Sequence, residues 1–571
     1  MSKAIYIGGN RTDPAAAQVW EGSQAEVTAP APAPTGQEMR VYGPPGTGKT
    51  TWISRQVRAE VESRGAGAVM ITSLTKAAAE TIVGRELPVP KENIGTLHSH
   101  CFRAIGAATI AETKYLEFNL KYPNMAISGD HRDIDESEQE QPENATPGDQ
   151  LMSQYRLSRS RMEPRELLPP AVARFARAWQ GWKEEKRYLD FTDLIEQALR
   201  NIAVAPGDPA VIFVDEAQDH DRLELALLRK WGRYAERVYI VGDPDQAIYE
   251  WRGSDPRAFM TPAVPEQNKL TLEQSYRVSP AVHRVALKWI GQIRDREPIE
   301  YRPRQAPGEV RRLYASYRRP VPILRDMERY LRDGKTVMML TSCAYMLNKL
   351  VASLKAAGIP FYNPYRKKAG HWNPLRSPRG TSPTERVLAY LRPSDEAWPT
   401  DHRLYTYGDL RLWTEPLRAE GVLRRGMKQH IQMRPGEEPI SIGSLIELFE
   451  PAAWERIREL DLAWYRDHLL TTRRPAVEFP LSVIRNRGAA ALRQKPQVII
   501  GTIHSVKGGQ ADAVYLFPDL APSAYGEWIA AGPRRDALIR LFYVAMTRSA
   551  EDLVLCSPAG SYRIHGLMPG L

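Results

Sequence analysis

The sequence has few cysteines and no long apolar segment. Its three cysteines, Cys101, Cys343 and Cys556, lie far apart and form no CxxC pair. This spacing argues against a disulfide framework, a zinc ribbon and an iron–sulfur cluster. No apolar run approaches the roughly 18 residues that span a bilayer, and the N-terminus MSKAIYIGGN lacks the apolar region of a signal peptide. The sequence therefore predicts a cytoplasmic protein with no membrane partner.

The sequence has no internal repeat of solenoid period, and 571 residues are too many for one hydrophobic core. The length predicts roughly three or four domains. Lys and Arg exceed Asp and Glu by 78 to 68, which favours a polyanionic partner. Arginines alternate with aromatic residues at 301–320 and 365–380, a mixture suited to single-stranded nucleic acid. A solvated surface is an equal alternative for either segment.

Composition divides the chain into segments. Residues 28–36 form a Pro/Ala linker, which makes residues 1–36 a loosely attached leader. The acidic stretch 129–150 is nearly free of apolar residues and is predicted to be disordered. Helical patterns dominate 151–200, and short apolar runs recur at 211–214, 238–241, 336–340, 497–500 and 513–517. Strands that alternate with helices predict parallel sheets.

The segment VYGPPGTGKTT at 41–51 fits the phosphate-binding pattern GxxxxGK[ST]. Its glycines allow the backbone to curl so that N–H groups face phosphate oxygens. Lys49 would reach the β and γ phosphates, and the Thr50 hydroxyl would bind Mg²⁺. The predicted nucleotide-binding residues here are Gly43, Pro44, Gly46, Thr47, Gly48, Lys49, Thr50 and Thr51.

The segment VIFVDEAQDH at 211–220 runs from four apolar residues into two acids. A phosphate loop needs a second metal-binding group and a base, and a buried strand that ends in acids presents both at the same sheet edge. We expect Asp215 to hold Mg²⁺ through water and Glu216 to act as general base. Because Lys49 and Asp215 are far apart in sequence, an insertion at 104–189 is expected between them.

A phosphate loop followed by acids also occurs in ring-forming ATPases, so later segments must decide between these classes. Those segments are DEAQD, VYIVGDPDQAIYEWRGSDP, LEQSYRVSP, GTIHSVKGGQADAVYLFPD and RLFYVAMTRSAEDLVL, preceded by ITSLTKAAAETI and GTLHSHCFR. In this order they resemble the helicase motifs of the UvrD/Rep family of superfamily 1. The resemblance covers most of the chain outside the leader, the acidic stretch and about 380–490.

The resemblance implies an α/β fold with two RecA-like P-loop domains, each with a parallel sheet and a mainly helical inserted subdomain. The first domain, 1A, would comprise 37–103 and 190–275, with subdomain 1B at 104–189. The second, 2A, would comprise 276–380 and 491–571. A reduced subdomain 2B would occupy 381–490.

The resemblance also implies roles at the nucleotide. Gln246 would sense the γ phosphate and orient the attacking water, and Tyr276 would stack on adenine. Arg277 and Arg548 would contact the γ phosphate from the second domain. Together with Lys49 and Glu216 these residues form the expected catalytic set. Gln510 stands where the family has a ribose-binding glutamate.

On the nucleic-acid side the resemblance implies base stacking by aromatic residues after Gln246 and backbone contacts from both lobes. The segment SYRIHG near the C-terminus could form a strand-separation hairpin that carries Tyr562, and a frayed C-terminus is an equal alternative. The expected contacts are Thr96, His98, Ser99, Tyr249, Trp251, Arg252, Thr502, His504, Ser505 and Tyr562.

Some positions depart from the family pattern. Ser73 replaces a phenylalanine of the base pocket, and Ser275 replaces an asparagine. The KGGQA segment replaces the usual KGLEF. An adenine-reading glutamine upstream of Gly43 could be any of three residues, namely Gln18, Gln24 and Gln37.

The sequence thus predicts an ATP- and Mg²⁺-dependent DNA helicase that moves 3′ to 5′ on single-stranded DNA. Single-stranded DNA and its junctions with duplex are the expected partners, and a monomer is expected to translocate. A translocase that strips bound proteins, an ATP-switched nucleic-acid-binding regulator and a ring ATPase are the alternatives.

Overall fold

The computed structural model of the protein describes residues 38–74, 87–106, 108–129, 146–366, 372–376, 380–394 and 403–567. The predicted leader, the three candidate glutamines and most of ITSLTKAAAETI lie outside these ranges. Across the described ranges, no helix combines the length and the apolar character needed to cross a bilayer.

The first sheet contains six parallel strands in the order β3-β2-β6-β7-β1-β8. Its central strand VIFVD is buried at every residue, as expected for a sheet covered on both faces. Two apolar clusters, one on each face, pack helices against it. The strands are β1 Glu38–Tyr42, β2 Val69–Ser73, β3 Ile94–Thr96, β6 Val211–Asp215, β7 Arg237–Gly242 and β8 Lys269–Thr271; the helices are α1 Lys49–Arg64, α2 Leu97–Ile105, α6 Phe191–Asn201, α7 Arg222–Gly232 and α8 Pro256–Met260.

A mainly helical unit is inserted between α2 and α6. Its aromatic core contains Phe118, Phe175, Trp179 and Trp182. It comprises β4 Thr109–Ile110, α3 Tyr115–Lys121, α4 Pro147–Ser160, α5 Pro170–Lys186 and β5 Tyr188–Leu189.

The prediction of disorder over 129–150 is wrong at its C-terminal end. Helix α4 begins at Pro147, and Thr146 caps it by accepting from the Asp149 N–H at 3.2 Å. The Asp149 carboxylate accepts in return from the Thr146 N–H, which completes a capping box. Polar residues order this segment because they satisfy the free N–H groups of the helix start. Residues 130–145 lie outside the described ranges.

The second sheet also contains six parallel strands, in the order β11-β14-β10-β15-β16-β9. Clusters of buried apolar side chains cover both faces. The strands are β9 Val310–Leu313, β10 Val337–Thr341, β11 Phe361–Tyr362, β14 Val498–Thr502, β15 Ala511–Leu516 and β16 Ser549–Cys556; the helices are α9 Pro280–Ile290, α10 Val321–Arg332, α11 Leu347–Ala356, α19 Ala490–Arg493, α20 Pro522–Ala530 and α21 Pro533–Met546.

A second insertion, between β11 and α19, has a core of its own around Trp413, Tyr390 and Tyr465. It comprises α12 Pro383–Tyr390, β12 Arg403–Thr406, α13 Tyr407–Thr414, α14 Met427–Met433, β13 Pro439–Ser441, α15 Ile442–Leu448, α16 Pro451–Arg458, α17 Leu462–His468 and α18 Arg474–Arg487. Two parallel sheets with helical insertions confirm the predicted fold class, whereas the exact domain boundaries remain predictions.

The first insertion joins α6 through a buried charge network. Lys183 contacts both Asp190 and Asp193, and Arg159 contacts both as well. The Trp179 indole N–H also donates to Asp190. Because removal of one partner from a buried ion pair leaves uncompensated charge, each member is costly to lose.

We predict that Lys183→Met destabilises the first insertion by about 3 to 5 kcal/mol, because two buried carboxylates lose a cation while the apolar stem is retained. Hydrogen exchange of the α5 and α6 amides measures this. Lys186→Met, on the same helix with a side chain that is 43% exposed, is the matched control and should change stability by less than about 1 kcal/mol. Equal protection in the two variants would contradict the prediction.

Candidate active site

The turn from β1 into α1 is shaped to bind phosphate. Gly46 and Gly48 adopt positive φ angles of 75° and 81°, which bring successive backbone N–H groups to one side. Lys49 donates to the Gly43 carbonyl at 2.7 Å and so folds back over the loop. A methyl group on Gly43 would lie 2.1 Å from Lys49 Cγ, so this position requires glycine.

The remaining residues of the loop brace it or begin the helix. The Thr47 hydroxyl donates to the Pro44 carbonyl at 2.8 Å. Thr50 and Thr51 lie in the first turn of α1, whose cap Gly48 offers no side chain to the free N–H groups there. Those groups and the helix dipole favour an anion at this point.

Asp215 and Glu216 lie at the carboxyl end of β6, with only β7 between that strand and β1. Glu216 has a φ of 52°, an uncommon conformation for a residue with a side chain. Its carboxylate accepts from the Gln218 amide at 2.5 Å, and its N–H donates to Asp215 at 2.9 Å. The tight turn aims the two neighbouring carboxylates in different directions.

The electrostatics of the two acids differ. Burial, and then the negative charge of Glu216, raises the pKa of Asp215 to about 7. Burial opposes ionisation of Glu216 as well, but Lys49 and Lys507 outweigh it and lower the pKa of Glu216. Glu216 is therefore a charged acceptor at neutral pH, whereas at Asp215 burial and the charge of Glu216 outweigh the attraction of Lys49.

The donors present fit a magnesium ion that completes its shell with substrate oxygens. Within the described ranges no group of three or more His, Cys, Asp or Glu residues could hold a metal. Mg²⁺ typically uses one or two protein oxygens together with phosphate and water, and Thr50 with Asp215 supplies that number. Ser73 pairs in register with Asp215 and has a buried hydroxyl without a partner. Because Ser73 is 1% exposed, it forms no part of an open base pocket.

Two arginines from the second sheet's side reach this cleft. The Arg548 guanidinium, which is 1% exposed, donates to Gln246 Oε1 at 2.9 Å. Gln246 in turn donates to Asp243 at 2.7 Å. Arg277 lies against the phosphate loop, since a methyl group on Gly46 would approach Arg277 Cβ to 2.4 Å. The structure thus places Arg277 against the phosphate loop and Arg548 against Gln246.

The two guanidiniums are destabilised by burial more than they are stabilised by the nearby charge of Glu216. Burial, and then the neighbouring Arg548, lowers the pKa of Arg277 to about 9, although its side chain is not fully enclosed. Burial also lowers the pKa of Arg548. Two cations whose charge is disfavoured by their surroundings favour an anion placed between them.

Tyr276 and Gln510 border the same cleft. The Tyr276 N–H donates to the Gly46 carbonyl at 2.8 Å, and the ring is 74% exposed, so it is free to stack on a base. Gln510 accepts from Arg277 Nε at 2.8 Å, which occupies the oxygen expected to bind ribose. Ser275, next to Tyr276, donates its hydroxyl proton to the Pro45 carbonyl at 2.8 Å.

A repeated turn, Gly-Thr-x-His-Ser, follows β3 and β14. In the first copy the Thr96 hydroxyl accepts from the Ser99 N–H at 3.3 Å. In the second copy Thr502 accepts from the Ser505 N–H, also at 3.3 Å. In both copies a methyl group on the leading glycine would lie 2.4 Å from the serine hydroxyl. The two lobes therefore present the same local backbone geometry.

The two histidines of this turn differ. His98 is part-exposed and lies 3.7 Å from Glu224. His504 is 8% exposed and packs near the Tyr249 ring, and burial lowers its pKa to about 4. His504 is therefore neutral and enclosed, and it does not present a cation to a phosphate. A contact between His504 and the strand backbone stays a prediction.

Tyr249, Trp251 and Arg252 form a part-buried aromatic and basic cluster beside Gln246. Lys507 lies 4.9 Å from the centre of the Tyr249 ring. The Trp251 indole N–H is buried without a hydrogen-bond partner. The cluster combines rings and cations as single-strand sites do.

The predicted hairpin at SYRIHG is absent from the described part of the chain, which reaches residue 567. Arg563 makes a single antiparallel bridge with Asp519, and no strand forms there. Tyr562 is 47% exposed and packs on Tyr525 at 5.4 Å between ring centres. The described residues up to 567 therefore show one bridge and no hairpin, and a role of Tyr562 in strand separation stays a prediction.

The sequence analysis missed a contact between the two lobes. Lys507 pairs with Asp219, and its ammonium group also donates to the Gln246 carbonyl at 2.9 Å. Arg540 pairs with Glu250 at 2.9 Å. Asp219 lies in the DEAQD motif and Lys507 in the GTIHSVKGG motif. Both are recognisable as charged residues, but nothing in the sequence shows that they pair.

We predict that Gly43→Ala weakens binding of a fluorescent nucleoside triphosphate at least about tenfold, because the new methyl group displaces Lys49 from the loop. Gly67→Ala is the matched control, since nothing lies within 4 Å of a methyl group there. Titration of both variants by fluorescence anisotropy checks this. Wild-type affinity in Gly43→Ala would show that Lys49 does not need this geometry.

Comparison with known proteins agrees with this architecture. Residues 24–263 match the model of the UvrD/REP helicase N-terminal domain. The chain is 27% identical over 176 residues to an ATP-dependent DNA helicase PcrA of Staphylococcus aureus, covering 29% of this chain and 24% of that protein. It is 29% identical over 136 residues to the PcrA of Staphylococcus epidermidis, covering 22% of this chain and 19% of that protein. The match therefore spans about a quarter of these relatives or less. The N-terminal part of the chain is thus similar to UvrD/Rep helicases, and the two parallel sheets and the phosphate loop after β1 agree with that similarity.

Proposed function

We propose that the protein is an ATP-dependent DNA helicase or translocase that moves 3′ to 5′ on single-stranded DNA. The observation that carries this proposal is the hydrogen bond from Arg548 to Gln246, together with the contact of Arg277 with the Gly46 loop. These contacts bring groups from the side of the second sheet to Gln246 and to the phosphate loop of the first, which supports a nucleotide site shared by both. The similar PcrA proteins are ATP-dependent DNA helicases by name, which supports ATP and DNA as the substrates.

The nucleotide cleft lies at the seam where the two lobes meet. Residues from both lobes would carry out different parts of hydrolysis there. The N–H groups of the loop and Lys49 would hold the triphosphate, and Thr50 with Asp215 would hold Mg²⁺, which supplies charge neutralisation at the phosphates. Glu216 would take a proton from the attacking water. Gln246, with an amide that both donates and accepts, would orient that water.

The arginines would make hydrolysis depend on closure of the two lobes. Arg277 and Arg548 would neutralise charge that develops on the transferred phosphoryl group, an effect worth about 10³ to 10⁵ in rate in related hydrolases. Loss of the γ phosphate removes the anion that both lobes share. ATP and ADP would thus bind the closed state with different affinity, which is the requirement for driven motion.

The strand would lie across the repeated Gly-Thr-x-His-Ser turns and the cluster of Tyr249, Trp251 and Arg252. Gln246 is only three residues from Tyr249, so phosphate sensing and base stacking share one short segment. We propose single-stranded DNA and its junctions with duplex as the partners. The translocating state would be a monomer, and the location would be the cytoplasm.

Two alternatives predict different behaviour. A translocase that removes bound proteins would hydrolyse ATP on DNA with little unwinding. An ATP-switched regulator would hydrolyse ATP once, without stimulation by DNA. A ring ATPase is disfavoured because both arginines reach the loop from the same chain.

We expect single-stranded DNA to stimulate ATP hydrolysis and Glu216→Gln to reduce kcat by about 10² to 10⁴, the usual contribution of a general base. Nucleotide binding should persist, since the phosphate loop is intact. Glu184→Gln, at an exposed site on α5, is the control. An ATPase rate that DNA leaves unchanged would favour the regulator instead.

Tailed duplexes test direction and unwinding. We expect unwinding of 3′-tailed substrates at a rate at least about tenfold above that of 5′-tailed ones. Binding to the tail should weaken with salt, with a slope of about 0.7 per phosphate neutralised. Preference for the 5′ tail would contradict the direction, and stimulated hydrolysis without unwinding would favour the protein-stripping translocase.

A further inference from the structure

Tyr365 packs on a single peptide at the seam. It lies in the loop after β11, and a methyl group on Gly509 would approach its phenol oxygen to 2.2 Å and its Cζ to 2.4 Å. The ring therefore fills the space that any side chain at 509 would need. This contact gives a physical reason for the second glycine in KGGQA, the segment that departs from the family pattern.

The loop that carries Tyr365 is anchored by buried asparagines. Asn363, which is 0% exposed, accepts from the Tyr365 N–H at 3.0 Å and donates to the Ile500 carbonyl at 3.1 Å. Its own N–H donates to the Asn373 side chain at 3.0 Å. Arg366 stacks over the Trp372 ring at 4.0 Å. The loop that carries Tyr365 and Arg366 is thus anchored in the second lobe, although Tyr365 itself is 39% exposed.

Gly509 and Gln510 contact both arginines of the cleft. The Gly509 carbonyl accepts from Arg548 Nη1 at 3.3 Å. The Gln510 side chain accepts from Arg277 Nε at 2.8 Å. The Gln510 backbone in turn hydrogen-bonds the Tyr365 phenol.

We propose that Tyr365 is a positioning residue for ATP hydrolysis, which fixes the Gly509–Gln510 peptide so that Arg548 and Arg277 converge on the terminal phosphate. This inference rests on the proposed function. Because the arginines act on the transferred phosphoryl group while the loop of the first lobe holds the nucleotide, Tyr365 controls kcat more than nucleotide affinity.

The first test compares Tyr365→Phe and Tyr365→Ala with the wild-type protein on single-stranded DNA. Removal of the hydroxyl should lower kcat about 3- to 10-fold, as expected for one hydrogen bond. Removal of the ring should lower it roughly 10- to 100-fold, with nucleotide affinity within about threefold of wild type. Tyr234→Ala, at a 59% exposed tyrosine, is the control. A kcat for Tyr365→Ala within twofold of wild type would overturn the proposal.

The second test is a double-mutant cycle. Gly509→Ala should lower kcat because its methyl group collides with the phenol, and adding Tyr365→Ala should cost nothing further, since the two changes disrupt one contact. Losses that multiply would mean that the residues act separately, which contradicts the proposal.

Hydrogen exchange separates this inference from the proposed function. Amides at 508–511 should exchange about fivefold faster or more in Tyr365→Ala than in the wild-type protein, whatever the reaction catalysed. A wild-type protein without ATPase activity would overturn the proposed function, and the exchange result would still decide whether Tyr365 holds the peptide. Unchanged exchange would overturn the positioning role itself.

Discussion

The hydrogen bond between Arg548 and Gln246 is the contact on which the architecture of the cleft depends. Arg548 directly precedes β16 of the second sheet, and Gln246 follows β7 of the first sheet. A buried guanidinium is costly unless it is compensated, and here its partners are neutral amide and carbonyl groups. The protein therefore holds a buried positive charge between its lobes, and a phosphate group bound there would compensate that charge.

The two insertions leave this seam undisturbed because each has its own core. The first is filled by stacked and edge-on aromatic rings, and its charges are paired with α6 of the first lobe. The second has a separate cluster around Trp413. Independent cores allow such units to differ in size while the strands that carry the cleft residues keep their register.

The sequence predicted the fold class well because its strands are short apolar runs that end in motif residues. Lys49, Asp215 and Glu216 were found because their chemistry is local: each motif contains its strand, its turn and its reactive group. Contacts between distant segments were not predictable, as Lys507 with Asp219 and Tyr365 with Gly509 show. Composition misled at Thr146, where polar residues cap a helix, and the burial of His504 could not be read from its motif.

The repeated Gly-Thr-x-His-Ser turn has a consequence for polarity. If both lobes grip a strand through the same backbone turn, each grip can hold the strand in the same 5′ to 3′ orientation, and the two grips do not by themselves decide which lobe advances. The direction of movement must then arise where the lobes are unlike. Acids and a lysine lie on one side of the nucleotide cleft, and arginines lie on the other. The direction of movement would therefore be set at the nucleotide cleft and not at the two strand contacts.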